Sequence, residues 1–547
     1  MVFVPYFGDI GQKIVFPFHF CTQIFIFFIK MTTFARNFES IVIPFMKRLV
    51  ILLFAVMTTA AIWAQAFNED AKAYVNGSLV DSSPLSITVT KNGSLYNVTF
   101  NATYVGNVEL KDVKSEAQGS SVILMANQDV AITSAADPQP VKMVAAINGS
   151  KMTARLTVDM SASTGQLVDI YLGDGILKGT NYQVPNGDFE SWHSVQVETK
   201  DGSFITCVEP NGWHSYGSAI VAPIVANAFK YLTPADLLTC SESGHNGKCA
   251  RLVTAQKELM NKILNGTMTT GRLNCGSLTA SDKTQNFTFL DLSSTERDSN
   301  NDPYYITLTH KPDSLSLWIQ FTKGGYDFDP YCVVSGTITD GTLYQEPPLD
   351  VQTSHVVCNA RNANIVPTGK QWKRISIPFD YASYPYGAEC KAIMITISSS
   401  ATTGEGNDGD ELLVDDLSLV YNCQLSQLGG VTGFSPDKYD YEVSTDIDAT
   451  SLVAVGSGRE THVLKTEKPA ADGKYIYVDV YSGDLKSRNT YTIHCKTGTG
   501  IAVTTKTEKP GFETYYNIGG QRISAPRHGQ VTIVKTTDGR TFKTVVK

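Results

Sequence analysis

From about residue 67 onward the chain alternates hydrophobic and polar residues. In the stretch "PLSITVTKNGSLYNVTF", Leu85 and Ile87 lie on one face, and the dipeptide Asn92-Gly93 separates two alternating runs. A period of two residues predicts β-strands, and Asn-Gly between two such runs predicts a hairpin turn. The stretch "KMTARLTVDM" repeats the pattern. We therefore predict a small all-β domain over residues 67–180.

The block 184–422 contains further predicted strands, in "SLSLWIQFT", "WKRISIPF" and "AIMITISSS". In the first of these, Leu315 and Leu317 share one face, while Trp318 and Gln320 lie on the other, polar face. A tryptophan on the polar face of a strand is available to a ligand. The stretch "TAQKELMNKILNG" has the pattern of an amphipathic helix that ends at Gly266.

The block ends in "GDELLVDDLSLVY", and the pattern of this stretch predicts a strand. Asp415 shares a face with Leu413 and Leu417, and Asp416 points to the opposite side. A carboxylate between two leucines is costly to bury unless it has an arginine, backbone donors or a metal ion as partner. Calcium takes oxygen ligands of this kind.

The stretch from Met46 to Ala66, "MKRLVILLFAVMTTAAIWAQA", has the order of a Sec signal peptide. A Lys-Arg pair precedes an apolar run, and Ala64-Gln65-Ala66 forms a cleavage site. We predict an exported protein, extracellular or on the outer cell surface, with the periplasm as the alternative. Residues 1–45 are interpreted as translation from an upstream start. The rival interpretation is a membrane span in "IVFPFHFCTQIFIFFI", which is short for that purpose.

Composition supports this picture. The 547-residue chain is long enough for several domains. Its net charge is −8 and it has no basic run, so nucleic acid is not an expected partner. Of its 10 cysteines, one lies in the leader, and no C-x-x-C occurs. One or two disulfides are expected, Cys240 with Cys249 closing the shortest loop, although spacing alone does not determine the pairing.

The block 184–422 resembles two related groups of domains. "NGDFESW" at its start and "LLVDDLSLVY" at its end are similar to the first and last strands of jelly-roll carbohydrate-binding modules. More narrowly, "VPNGDFESW", "PNGWHSYGSA", "SGHNGKCARLVT", "KPDSLSLWIQF" and "GDELLVDDLSLVY" resemble the "putative carbohydrate metabolism domain" of secreted bacterial proteins. The resemblance implies a jelly-roll sandwich whose first and last strands lie side by side.

The same resemblance implies a structural calcium ion at that seam. Carried over by position, Glu190 and Asp415 are its main candidate ligands, and Asn186, Asp188 and Asp416 are weaker ones. The alternative is that turn amides satisfy Glu190 and Asp415 without any metal. No organic cofactor is expected.

The flanking segments carry looser resemblances. Residues 67–180 resemble calycin-like β-barrel domains, with a small β spacer as the alternative. Residues 424–496, from "LSQLGGVTGFSPDKYDYEV" to "NTYTIHC", resemble cadherin-like β-sandwiches. Residues 510–547, with "YYNIGGQR", resemble C-terminal sorting signals, which implies the outer-membrane secretion machinery as a partner. The expected fold is therefore all-β and multi-domain, a central jelly roll flanked by small β domains.

Sugars stack on exposed aromatic rings and bond to polar neighbours. By this criterion the candidate ligand-binding residues are Trp318, Gln320, Trp213, Tyr216 and Tyr326. For Trp213 the alternative prediction is that the ring packs over the edge of the core. For Trp318, too, the ring either binds a sugar or packs against the core.

Catalytic signatures are few. Glycoside hydrolysis requires two carboxylates about 5–9 Å apart, and no strand carries alternating acids of the E-x-D-x-x-E type. The histidines are scattered; His193 and His214 each follow a tryptophan, and a lone histidine is more often structural. The sequence thus favours a non-catalytic protein that captures polysaccharide or oligosaccharide. The alternatives are a glycoside hydrolase using carboxylates of the central block and a structural or adhesive surface protein.

Overall fold

The computed structural model describes residues 63–118, 120–132, 135, 137–173, 182–198, 202–228, 236–257, 262–325, 330–496, 514–535 and 541–545. Strands dominate these ranges, so the prediction of an all-β, multi-domain protein is confirmed. The described ranges also contain the short α-helices α1 (Ser161–Thr164) and α2 (Pro223–Ala228) and the 3-10 helix Asp350–His355. None of the described helices is long and apolar enough to span a lipid bilayer.

The N-terminal region is one sheet of ten strands in the order β1-β4-β5-β6-β7-β8-β9-β10-β2-β3. The strands are β1 (Trp63–Glu69), β2 (Ala71–Val75), β3 (Ser78–Asp81), β4 (Leu85–Asn92), β5 (Leu95–Ala102), β6 (Gly106–Gln118), β7 (Ser121–Val130), β8 (Gln139–Asn148), β9 (Lys151–Met160) and β10 (Gln166–Leu172). Asp70 alone separates β1, which pairs with β4, from β2, which pairs with β10. The first stretch of chain therefore joins both ends of the meander and curls the sheet around its own core.

The predicted hairpin at residues 85–102 forms, with its turn shifted by one residue. Asn92 pairs with Leu95, so Gly93 and Ser94 make the turn. Gly93 has a φ of +63°, which suits the first central position of a type II′ turn. Strand β9 alternates as predicted, and its buried residues face the core of the curled sheet.

The described part of the central region contains eighteen strands. They are β11 (Trp192–Glu198), β12 (Phe204–Pro210), β13 (Ile220–Val221), β14 (Leu238–Ser241), β15 (Cys249–Val253), β16 (Ala255–Lys257), β17 (Lys262–Leu264), β18 (Thr267–Thr269), β19 (Arg272–Cys275), β20 (Asn286–Leu290), β21 (Ile306–Thr307), β22 (Ser314–Thr322), β23 (Cys332–Thr339), β24 (Tyr344–Glu346), β25 (Val356–Ile365), β26 (Lys373–Pro378), β27 (Ala392–Ser398) and β28 (Glu411–Val420).

Two of the central sheets pack face to face. We call the sheet β14-β15-β28-β22-β26 the Trp318 sheet, and the sheet β18-β27-β23-β25, with β21 added beside β27, the Ser335 sheet. One hydrophobic cluster fills the space between them. In β22, Leu315, Leu317 and Ile319 are fully buried in that cluster, as their alternation predicts. A third layer, β13-β19-β20-β24, covers the outer side of the Ser335 sheet.

The segment "NGDFE" lies against the last strand as predicted, but as a turn rather than as a strand. Residues 185–188 are a turn, and the first strand of the region begins only at Trp192. The Leu417 amide donates to the Gly187 carbonyl at 2.7 Å, and the Gln183 side chain bonds to the backbone of Leu419. Asn186 and Phe189 have positive φ values, which are incompatible with an extended strand.

Two further expectations are wrong. The predicted helix at 254–266 is instead the hairpin β16–β17, with Ala255 paired to Leu264. The segment directly follows β15, and pairing of its two ends overrides its helical propensity. No disulfide forms among the described cysteines, Cys240 and Cys249 included. These two stand on neighbouring strands, where Cys240 pairs with Ala250 and Cys249 with Ser241.

The C-terminal region forms a small sandwich and a separate sheet. The strands are β29 (Leu425–Leu428), β30 (Asp440–Val443), β31 (Ala454–Gly456), β32 (His462–Ala470), β33 (Gly473–Tyr481), β34 (Arg488–Lys496), β35 (Thr514–Tyr516), β36 (Arg522–Ile523), β37 (Val531–Lys535) and β38 (Thr541–Val545). Sheet β30-β34-β33-β32 and the pair β29-β31 enclose a core of their own. Residues of β7 and β8 share a second apolar cluster with Leu464, Tyr481 and Leu485.

Candidate functional site

A large cavity lies between the Ser335 sheet and the third layer, and the hairpin β11–β12 contributes to its wall. Its volume is about 1130 Å³. Most small-molecule sites enclose roughly 300–1,000 Å³, so this cavity has room for more than one sugar ring. Its apolar wall includes Val221, Val225, Leu237, Leu273 and Phe287.

The floor of the cavity is polar because strand alternation sends hydroxyl groups outward from the Ser335 sheet. In β27, Ile395 and Ile397 enter the core, and Thr396 and Ser398 face the cavity. Thr288 of the third layer also lines it, and its hydroxyl lies 3.1 Å from that of Thr396. The cavity thus combines a hydroxyl-lined floor with aliphatic and aromatic walls.

Glu346 is the most unusual group in this cavity. Its carboxyl has one buried oxygen, Oε2, without a hydrogen-bond partner. The Arg361 Nε atom is 3.8 Å from the other oxygen, but the Arg361 side chain is half exposed, which weakens the ion pair. Burial raises the pKa of Glu346, and a hydrogen bond from Ser335 and the charge of Arg361 offset only part of that effect. A carboxyl group with a raised pKa in a cavity is a candidate functional residue.

The structure separates the predicted aromatic ligand-binding residues. Tyr216 lines the cavity, where burial raises its pKa and Thr267 is a hydrogen-bond partner. Trp213 is fully buried, and its ring lies 5.2 Å from that of Phe189. It therefore packs in the core, as the alternative prediction stated, and no face of its ring is open to a sugar. Tyr326 lies outside the described residues.

Trp318 and Gln320 lie on the outer face of the opposite sheet, the Trp318 sheet, and both are partly exposed. The imidazole of His245 stacks on the Trp318 indole, with ring centroids 3.8 Å apart and planes inclined by 13°. Trp372 meets the same imidazole edge-on at 6.1 Å. These three rings form an aromatic patch on the molecular surface, remote from the cavity because the sandwich core lies between the two sheets.

The two main predicted calcium ligands meet at one loop, residues 243–248. The Lys248 amide donates to Glu190 Oε1 at 2.7 Å, and the Asn246 amide donates to Asp415 Oδ2 at 2.9 Å. Asp415 also accepts from the Asp416 amide, and its side chain is fully buried. Desolvation raises the pKa of Asp415 despite these bonds.

The side chains of the weaker predicted ligands have other surroundings. Asp416 Oδ2 pairs with His245 Nδ1 at 2.8 Å, and Asp188 is exposed. The side chain of Asn186 bonds to the backbone of Ser191 and Asn211, which closes its own turn.

The amide bonds to Glu190 and Asp415 are those of the alternative prediction, in which turn amides satisfy both carboxylates, and the same loop also offers carbonyl oxygens to a calcium ion. A Cβ atom placed on Gly244 would lie 2.6–2.7 Å from three oxygens, those of the Gly247 and Lys248 carbonyls and Asp415 Oδ2. Calcium prefers such a mixture of carbonyl and carboxylate oxygens. With the ion present, Glu190 and Asp415 would hold it together with loop carbonyls, and its charge would balance two neighbouring carboxylates.

Sequence reasoning missed Glu346, Arg361 and the hydroxyl floor. One signal was present in "CVVSGTIT", where Ser335, Thr337 and Thr339 alternate with residues of the core. This pattern indicates a strand with a polar outer face. Nothing in the sequence showed that a third layer covers this face and encloses a cavity.

Residues 188–420 match the family model of the "Putative carbohydrate metabolism domain". A comparison with curated protein sequences finds no match. Among solved structures, the chain is similar to a putative glycoside hydrolase from Bacteroides thetaiotaomicron, with 15% identity, a TM-score of 0.29, and coverage of 66% of this chain and 98% of that one. It is also similar to a putative outer membrane protein from Bacteroides fragilis, with 9% identity, a TM-score of 0.16, and coverage of 61% and 96%.

Proposed function

We propose that this protein is exported through the Sec pathway, to the cell exterior or the outer cell surface, and there binds polysaccharide or oligosaccharide without hydrolysing it. The binding site is the cavity between the Ser335 sheet and the third layer. The observation that carries the proposal is the pairing of a hydroxyl-lined floor with apolar walls in a space of about 1130 Å³. The match of residues 188–420 to a carbohydrate-related family supports the same ligand class.

The chemistry of the lining suits a sugar. Sugar rings present hydroxyl groups around their edge and C–H groups on their faces, so they need polar and apolar contacts at the same time. Thr396, Ser398 and Arg361 offer donors and acceptors from the sheet, while Tyr216 and Phe287 offer ring surfaces. A calcium ion at Glu190 and Asp415 has a supporting role, because it would fix the seam between the turn and the last strand.

The binding experiment compares two arginines. The secreted chain is screened on a glycan array, and the affinity for the best ligand is measured by titration calorimetry. Arg361→Gln alters the cavity, and Arg374→Gln is the matched control on the Trp318 sheet, where Arg374 Nε donates to Ser316. A hydrogen bond to a charged group contributes about 1.5–3 kcal/mol, so Arg361→Gln should weaken binding at least about 10-fold while the control binds normally.

Two results would contradict this assignment. If Arg361→Gln binds like the natural chain but Trp318→Ala does not, the aromatic patch is the glycan site instead of the cavity. If no glycan on the array binds, the cavity proposal fails and the structural or adhesive role, with a protein partner, becomes the better account.

The second candidate function is glycoside hydrolysis, favoured by the raised pKa of Glu346. A glycosidase acid needs a raised pKa, and burial raises the pKa of Glu346. Glu198 is the other carboxylate among the described lining residues. A reducing-sugar assay on the bound glycan decides between the two functions. Release that Glu346→Gln abolishes would establish the hydrolase, and binding without release would support capture.

A further inference from the structure

Two histidines and an aspartate form a buried cluster away from the cavity. His193 Nε2 is 3.3 Å from Asp298 Oδ2, and His214 Nε2 is 3.4 Å from the same oxygen. The side chains of His214 and Asp298 have no exposed surface, and that of His193 is 9% exposed. Asp298 Oδ2, His193 Nε2 and both ring nitrogens of His214 lack hydrogen-bond partners. Buried polar atoms in folded proteins are almost always partnered, so the unpartnered atoms of these three residues require an explanation.

Separate elements hold these side chains rigidly. His193 belongs to β11, and His214 follows β12 with its backbone bonded in both directions to Thr269 of the Ser335 sheet. Asp298 lies in the loop after β20, where its Oδ1 atom accepts the amide of Asp302 at 2.7 Å. This turn uses one carboxylate oxygen of Asp298 for the backbone and leaves the other facing the histidines.

The hydrogen bond on the far side of His193 determines which nitrogen carries a proton. His193 Nδ1 is 3.1 Å from Asn211 Oδ1, an acceptor, which favours the tautomer with its proton on Nδ1. In the neutral ring, Nε2 then directs a lone pair at Asp298 Oδ2, and the two lone pairs repel. A cation between them removes the repulsion. Histidines that bind metals typically donate their other N–H to an oxygen in this way.

The distances agree with a tetrahedral ion. Zinc binds histidine nitrogen and carboxylate oxygen at about 2.0–2.1 Å. In a tetrahedron with such bonds, neighbouring ligand atoms are about 3.3–3.4 Å apart, which matches both separations from Asp298 Oδ2. One ligand atom each from His193, Asp298 and Asp302 lies within 4.8 Å of the others, so these three residues can hold one ion, and His214 lies beside Asp298.

The surrounding charge favours a cation as well. Glu209 lies directly opposite His193 in the β11–β12 hairpin and is fully buried; its Oε1 accepts from the amides and hydroxyls of Ser215 and Ser218, and its Oε2 has no partner. Negative groups that are buried together without an ion or a paired cation are costly. Imidazole ligands select zinc or a similar transition metal over calcium or magnesium.

We propose that His193, Asp298 and Asp302, with His214 beside Asp298, bind a divalent transition metal ion of the zinc type. The ion would clamp the β11–β12 hairpin to the loop that contains Asp298. This site is separate from the calcium site at Glu190 and Asp415, and it does not depend on the proposed glycan binding.

The test uses the full secreted chain, stripped with a chelator and titrated with zinc alone against a chromophoric competitor. Asp298→Asn keeps the Oδ1 atom that accepts the turn amide but removes the charge at the cluster. Asp340→Asn is the matched control, because Asp340 also closes a turn with Oδ1 and pairs with a histidine, His355, at 2.8 Å. That pair is partly exposed and satisfies its own hydrogen bond.

We expect one zinc ion per chain in the natural protein and in Asp340→Asn. Asp298→Asn should lower the affinity for zinc by at least about 100-fold. Loss of a group that only supports a metal ligand lowers the affinity by roughly 10–100-fold. Equal zinc binding by Asp298→Asn and the natural chain would overturn the proposal. If Asp298→Asn does not fold, Co²⁺ bound to the natural chain decides: visible bands of a tetrahedral nitrogen-oxygen site support the site, and the spectrum of hydrated Co²⁺ refutes it.

Discussion

Replacing Glu346 with glutamine should stabilise the protein at neutral pH. The carboxylate loses its hydration in the cavity wall, has one unpartnered buried oxygen, and faces an arginine that is half exposed. Glutamine keeps the shape and the acceptor for Ser335, but it carries no charge. Leaving a buried polar group unsatisfied costs about 1–3 kcal/mol, so the gain should be about 1–2 kcal/mol. For a domain of this size that corresponds to a rise in Tm of about 2–8 °C.

The pH dependence of this gain is the sharper test. The folded pKa of Glu346 lies above its ordinary value of 4.5 because of burial. The folded state therefore binds the proton more tightly than the unfolded state, and the charge penalty appears as pH rises from 4.5 through the folded pKa. The stabilisation by Glu346→Gln should be complete above that window and should vanish below the unfolded pKa, where both states are protonated.

Thermal unfolding followed by calorimetry from pH 4 to pH 8 measures both effects. Glu411→Gln is the matched control, because Glu411 forms an ion pair with Arg251, whose Nε donates to it at 2.6 Å. Loss of this partly exposed pair should destabilise by about 0–1 kcal/mol, the opposite sign. A destabilised Glu346→Gln at pH 7, or a difference between it and the natural chain that does not change with pH, would refute the reasoning.

Three further predictions follow from other parts of the chain. Ca²⁺ at 100 times Kd should stabilise the natural protein by about 2.7 kcal/mol, measured as a rise in Tm, and Asp415→Asn should lose this response; an equal response in both proteins would exclude that site. Asp479→Ala should destabilise the contact between the N-terminal sheet and the C-terminal sandwich by about 3–5 kcal/mol, since Asp479 is fully buried and pairs with Lys142. Calorimetry should show this loss, whereas the exposed Asp446→Ala should change stability by less than about 1 kcal/mol; equal effects would contradict the role of burial. N-terminal sequencing of the exported protein should begin directly after Ala66, and a start at any other residue would contradict the predicted signal cleavage.

Local pattern determined most of the secondary structure. Alternation in β9 and β22 assigned inward and outward residues correctly, because the side chains of a strand point to opposite faces in strict order. The same pattern did not fix turn geometry to the residue. The hairpin turn moved to Gly93-Ser94, and "NGDFE" became a turn, because a residue with positive φ interrupts a strand in ways that alternation does not reveal.

The family resemblance placed Glu190 and Asp415 at one seam, and both contact the loop 243–248 there. The resemblance did not exclude Trp213 as a sugar-binding residue, because the burial of its ring depends on the neighbouring Phe189 and on the core between the sheets. An aromatic residue in a loop has the same appearance in sequence whether its ring is exposed or enclosed.

The sequence by itself determined the all-β class, the inward and outward faces of the long strands and the alternation of polar residues along β23. Only the tertiary structure decided that a third layer covers that polar face and makes it a cavity containing Glu346. Only the tertiary structure brought His193, His214 and Asp298 together, although 105 positions separate the first from the last. Alternation is a property of neighbouring residues and is therefore present in sequence. Cavities and ligand clusters depend on which distant segments pack together, and a single sequence does not contain those distances.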